Sequence, residues 1–138
     1  MRAFLDTNVL LDAVVVREII RFSNDADTII RLGKSGAVEL YMSILSIPTI
    51  AYVIKNITSD RKKAIIQELT SSIKVLPSLP EHVQAMLDSP MQDIEDALQL
   101  ESAKSGGCDL IVTRDVSDFE SSDIPAITPS DFLDRILE

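Results

Sequence analysis

Short runs of strand composition recur along the chain, at residues 3–5, 38–42, 73–76, 109–113 and 124–127, and all but the fourth are followed by residues with helical spacing. That alternation leaves few topologies open. Strands joined through helices lie parallel, with right-handed crossovers and helices over both faces of the sheet. The fold class expected is α/β: a three-layer α/β/α sandwich around a central parallel sheet of four to five strands. No internal repeat, linker or low-complexity tract interrupts it, so residues 1–138 are expected to form one domain.

Between the strands, residues 9–22 read as one helix, with Leu10, Leu11, Val14, Val15, Ile19 and Phe22 near one face and Asp12 and Arg17 off it. Ser23-Asn24-Asp25 reads as a break before a second helix carrying Ile29, Ile30 and Leu32. Further helix starts are expected at Ser46, with Pro48 tolerated in the first turn, at Thr58-Ser59-Asp60, near Glu81, at Asp93 and at Thr128-Pro129. His82, in a helix's first turn, reads as a solvated surface residue without a role. Cys108 cannot form an internal disulfide and reads as a small buried apolar residue before a strand.

Charge narrows the function classes. The chain carries 22 acids against 13 Lys plus Arg, a net charge of −9. Phosphate neutralisation by Lys and Arg supplies most non-specific nucleic-acid affinity, so a nucleic-acid ligand here needs a local basic rim or divalent cations. The same sign favours a basic protein partner. No stretch approaches the ~20 apolar residues of a membrane span, and the N-terminus lacks a signal peptide's pattern, so the expectation is a cytoplasmic protein with no membrane contact.

The acids fall where such a sheet collects ligands. Asp6 follows the first strand, Asp93, Glu95 and Asp96 open a helix, and Asp115 and Asp118 follow the run Asp109-Leu-Ile-Val-Thr113. Carboxyl ends of parallel strands and amino ends of the following helices share one edge, so the three groups can converge there. Each also has a plainer explanation. Asp6 can cap the next helix, Asp93 and Glu95 suit a helix's first turn, and Asp118 can cap the turn before Phe119. Asp96 stands apart: followed by Ala97 and Leu98, it is a carboxylate on the inward side of a helix, costly unless paired or bound to metal. Packed carboxylates repel one another unless a cation neutralises them, and hard oxygen donors without His or Cys select Mg²⁺ or Mn²⁺.

These residues resemble the PIN domain family (PilT N-terminus-like), the metal-dependent nucleases that include the VapC toxins of prokaryotic toxin–antitoxin pairs. The likeness runs through Phe4-Leu-Asp-Thr-Asn-Val-Leu-Leu-Asp12, Leu40-Tyr-Met-Ser-Ile-Leu-Ser-Ile-Pro48, Asp93-Ile-Glu-Asp-Ala-Leu98, Cys108-Asp-Leu-Ile-Val-Thr-Arg-Asp-Val-Ser-Asp-Phe119 and Ile124-Pro-Ala-Ile-Thr-Pro-Ser-Asp-Phe-Leu133. Carried over by position, it implies that Asp6, Asp96 and Asp115 are the catalytic, metal-binding residues, with Asp118 a further metal-site acid. Asn8 and Ser43 are then polar supports turned toward the site, and Thr113 holds the first carboxylate through its hydroxyl. The reaction implied is RNA phosphodiester hydrolysis leaving a 5′-phosphate and a 3′-hydroxyl.

One position departs from the family. Many members carry a Glu early in the helix after the second strand, where this chain has Pro48-Thr49. Thr49 can at best hydrogen-bond a metal-bound water, leaving Asp118 or Glu95 to make up part of the charge.

The reading is therefore a Mg²⁺/Mn²⁺-dependent endoribonuclease, the toxin of a toxin–antitoxin pair. Its expected partners are RNA, a cognate antitoxin and, through apolar helices near both termini, a second copy of itself. Arg17, Arg21, Arg61, Lys62, Lys63 and Arg114 are the available phosphate contacts, though Arg114, beside Asp115, can instead pair with the acids. The alternative is a PIN-like binding module without nuclease activity. A phosphotransferase with Asp6 as nucleophile would want an acid where Asn8 stands and a suitably placed Lys, and the chain supplies neither.

Overall fold

The computed structural model describes residues 1–15 and 20–138. Its sheet has the order β3-β2-β1-β4-β5, formed by Ile73–Leu76 (β3), Glu39–Ser43 (β2), Arg2–Leu5 (β1), Leu110–Val112 (β4) and Ala126–Ile127 (β5), and every pairing is parallel. The chain builds outward from β1 through β2 to β3, then returns to the other side of β1 for β4 and β5. The reversal falls between β1 and β4, the crevice where doubly wound sheets bind ligands.

Alternation along β1 generates the layers. Ala3 and Leu5 point into one cluster with Val9 and Leu10 of α1 (Thr7–Val14), Ile29 of α2 (Ile20–Lys34), Ile50 of α3 (Ser46–Val53), Leu69 of α4 (Ser59–Thr70) and Phe132 of α7 (Pro129–Leu137). Phe4, between them, points the other way with Tyr41 and Ile111. That second cluster is closed by Leu100 and Ala103 of α6 (Ile94–Ser105), against which α5 (Glu81–Asp88) packs, and by Phe119 of a 3₁₀ turn (Val116–Phe119). Helices on both faces of a five-stranded parallel sheet make the expected three-layer α/β/α sandwich.

Close packing explains Gly33: a Cβ there would lie 2.5 Å from Leu40 Cδ1, so only glycine lets the end of α2 sit this near β2. Gly107 has φ +68° after α6, the left-handed turn that the Gly106-Gly107 pair anticipates.

Some local expectations fail. Ser23, Asn24 and Asp25 do not break a helix; they lie inside α2. Ala26 and Ile29 anchor that helix in the core, and the Thr28 hydroxyl donates back to the Asn24 carbonyl at 2.9 Å, so burial of one face overrides weak local propensity. The expected single helix over residues 9–22 is instead divided, with residues 9–14 in α1 and 20–22 in α2; Arg17 and Ile19 lie outside the described residues. His82 is not solvated but 6% exposed, its Nδ1 accepting the Leu79 N–H at 3.1 Å in the first turn of α5. Asp12 is also buried, for a reason given below. Cys108 is buried as expected, and burial pushes its thiol pKa up to about 11, so it is a packing residue and not a nucleophile. Among the described residues no helix is long and apolar enough to cross a membrane.

Candidate functional site

The first strand ends because Asp6 turns the backbone into α1. As N-cap, its Oδ1 accepts the Thr7 N–H at 2.8 Å. Its other oxygen, Oδ2, accepts the Thr113 hydroxyl at 2.8 Å, and its own N–H donates to the Val112 carbonyl across the β1–β4 crevice. The capping role and the site role thus use different oxygens of one carboxylate, each keeping a free lone pair.

Thr113 is the hub. Its hydroxyl also accepts the Asp115 N–H at 3.0 Å, which tightens the turn after β4 and brings Asp115 back over the sheet edge. Asn8, one turn into α1, donates from Nδ2 to Asp115 Oδ2 at 3.1 Å and accepts the Arg114 N–H at 3.3 Å through Oδ1. Asp96 arrives from the first turn of α6, whose N-cap Asp93 accepts the Asp96 N–H at 2.9 Å. Asp6, Asn8, Asp96, Asp115 and Asp118 line one cleft of about 260 Å³, joined by Thr49, Asp93, Glu95 and Gln99. Ser43 is not on that wall; its hydroxyl accepts the Leu45 N–H at 3.0 Å, and from the same turn Ser46, behind the wall, has its hydroxyl 2.7 Å from that of Thr7, which lines it.

Three features of the site were missed in the sequence. Gln99, 1% exposed, donates from Nε2 to Thr7 Oγ1 at 3.1 Å and to Glu95 Oε1 at 3.0 Å. Its place three residues after Asp96 and four after Glu95, on the same helix face, was the available signal. The Thr7–Ser46 contact had none. Asp12 is the third: its carboxylate meets Arg114 Nε at 2.8 Å, and the guanidinium stacks 4.6 Å from the Phe22 ring centroid. Arg114 therefore pairs with an acid, but with Asp12 of α1 and not with the clustered acids beside which it stands. Arg21, Arg61, Lys62 and Lys63 do not line the cleft, and Arg17 lies outside the described residues.

The electrostatics follow from this placement. No Lys, Arg or His among the described residues lines the cleft. Burial raises the pKa of Asp6; the Thr113 hydroxyl and the Thr7 N–H oppose that, and Asp115 and Glu95 add to it. Asp96 is pushed up to about 7, first by burial and then by Asp6, Asp93, Asp118 and Glu95.

These residues fit a hard divalent cation held largely through its waters. Their oxygens are hard donors with no counter-charge among the described residues of the cleft, and Gln99, which lines it, keeps a buried Oε1 without a hydrogen-bond partner among the described residues. Among the described residues, no three His, Cys, Asp or Glu side chains are grouped to hold an ion directly. Mg²⁺ needs no such cage, since it keeps several waters and takes one or two carboxylates.

A pH signature follows. A carboxyl with a raised folded-state pKa favours folding below its unfolded value, and that contribution is lost as pH climbs through the folded one. Without metal, the protein is expected to lose stability steadily as pH rises from about 4 to about 7, by about 1–2 kcal/mol after allowing for solvent screening at Asp96. Urea unfolding in EDTA at pH 5.5 and 8.0 measures this, with Asp96→Asn flattening the difference. Equal or greater stability of the wild type at pH 8.0 would contradict it.

A family model described as the PIN domain matches residues 2–117. Ribonuclease VapC1 of Aquifex aeolicus (strain VF5) is 32% identical over 142 aligned residues, covering 97% of this chain and 94% of that protein. Among solved structures, VapBC2 from Rickettsia felis bound to a promoter DNA fragment matches with a TM-score of 0.66 at 12% identity, over 93% of this chain and 98% of that one. A toxin–antitoxin complex from Klebsiella pneumoniae matches with a TM-score of 0.64 at 18% identity, over 92% and 97%. At those identities the structural matches speak for the fold.

Proposed function

The chain belongs to the PIN domain family, and on that premise we propose that it is a Mg²⁺- or Mn²⁺-dependent endoribonuclease acting as the toxin of a toxin–antitoxin pair. The observation that carries this reading is the cleft itself, which Asp6, Asp96, Asp115 and Asp118 line together with no Lys, Arg or His among the described residues. A phosphodiester cannot approach such a surface unless positive charge is supplied from outside. When bound, a hard divalent ion lowers the pKa of a coordinated water and neutralises charge on the phosphate.

The chain's residues prepare the place. Thr7 and Thr113 fix both oxygens of Asp6, Asn8 fixes Asp115, and Asp96 is the acid whose proton is lost near neutrality. Asp6, Asp96, Asp115 and Asp118 would hold the ion, with Thr49 on the wall beside them. Phosphate contacts outside the cleft fall to exposed cations such as Arg21, Arg61 and Lys63, whose contribution should weaken with salt.

An antitoxin partner is supported by the Klebsiella pneumoniae complex, and a homodimer would cover exposed apolar residues such as Tyr52 and Val53 at the end of α3. The alternative, a binding module without nuclease chemistry, is favoured by Thr49 at a corner where many relatives carry an acid. A panel of end-labelled RNAs separates the two. Cleavage that needs Mg²⁺ or Mn²⁺, stops with EDTA and leaves 5′-phosphate ends is expected, whereas no metal-dependent cleavage of any RNA, with Asp6→Asn and Asp96→Asn behaving as wild type, would leave the binding module.

A further inference from the structure

We infer that Glu95 supplies the carboxylate missing at Thr49, and that Gln99 is the residue positioning it. The inference rests on the metal-dependent reading above and goes beyond it by choosing Glu95 over Asp118. Continuity of hydrogen bonds is the ground. Ser46 opens α3, the helix that carries Thr49; its hydroxyl meets that of Thr7, Thr7 accepts from Gln99 Nε2, and the same amide nitrogen donates to Glu95 Oε1. The chain runs from the corner lacking an acid to a carboxylate on the wall of the same cleft. Asp118 joins none of these bonds; it stands on the 3₁₀ turn and is shared with a neighbouring hollow lined by Pro90, Gln92 and Glu120.

Gln99 is built for this task. A carboxylate can only accept, so contact with Glu95 fixes which end of the amide faces it, and both Nε2 hydrogens are used. Among the described residues Oε1 is left buried and unpartnered, in a side chain 1% exposed. A buried amide is retained in this state where its nitrogen has work to do, because an apolar side chain of similar volume would remove the unmet acceptor. Without that bond, an exposed Glu in a helix's first turn would be free to swing into solvent.

Calorimetric titration with Mn²⁺, without RNA, tests the inference. Glu95→Gln is expected to weaken Mn²⁺ binding about tenfold, since affinity follows ligand charge. Gln99→Met should weaken it by 10- to 100-fold at most, the range for residues that orient ligands, approximately tenfold here. Adding Gln99→Met to Glu95→Gln should weaken it no further, because the amide acts through the carboxylate. Thr49→Glu in the Glu95→Gln protein should restore affinity to within about threefold of wild type, and this arm decides the matter even if Gln99→Met does not fold. Wild-type affinity in Glu95→Gln, or failure of Thr49→Glu to rescue a weakened Glu95→Gln, would overturn the inference. If Asp6→Asn loses Mn²⁺ while Glu95→Gln does not, only this inference falls; if the wild type binds no Mn²⁺, the metal-dependent reading falls with it.

Discussion

Asp6→Asn is expected to lower metal-dependent RNA cleavage by about a thousandfold or more while leaving the protein folded and, without metal at neutral pH, no less stable than wild type. The substitution keeps the shape of the side chain and removes its charge. Both oxygens of Asp6 are held, one by the Thr7 N–H and one by the Thr113 hydroxyl, so asparagine loses one acceptor at a position that is 6% exposed. Against that loss stands relief of repulsion: Asp6 is the foremost like-charged neighbour raising the pKa of Asp96. Loss of activity without loss of stability marks a residue kept for chemistry against the interest of the fold. Cleavage rates in Mg²⁺ and urea midpoints in EDTA check both halves. Cleavage within about threefold of wild type would remove Asp6 from the mechanism.

The second large effect concerns stability. Asp12→Ala is expected to destabilise the protein by about 3 kcal/mol, because it takes the carboxylate away from a guanidinium that is three-quarters buried. For a chain of this length that corresponds to a fall in Tm of about 10 °C. Activity should fall as well, since the Arg114 backbone N–H donates to Asn8, which in turn holds Asp115. A destabilisation below about 0.5 kcal/mol in urea melts would show that the pair contributes little.

Much of the fold was legible because its signals are local and periodic. Alternating strand and helix composition forces a parallel sheet, and a strand such as Asp109-Leu-Ile-Val-Thr113 announces its buried centre and polar ends together. The site was legible for a related reason: Asp6 and Asp115 follow strand ends, and the sheet's topology does the rest. Asp12, by contrast, looks like a solvent-facing residue of α1, and its buried pairing with Arg114, some 100 residues later, leaves no trace in local spacing. Ser46 carries no mark of its own, because hydrogen bonds between separate helices depend on packing that spacing does not encode, and Gln99 is marked only by its spacing from Glu95 and Asp96. Ser23-Asn24-Asp25 misled in the opposite sense. A break signal is a preference of well under a kcal/mol per residue, and burial of Ala26 and Ile29 outweighs it.

The central claim is that acids distant in sequence share one hard divalent ion, and a crystal grown with Mn²⁺ at pH 8 tests it most directly. The result expected is an anomalous difference peak in the cleft, within direct or single-water reach of Asp6, Asp96 and Asp115. A map with no peak there at saturating Mn²⁺, or with Mn²⁺ only on surface carboxylates away from the β1–β4 crevice, would contradict it.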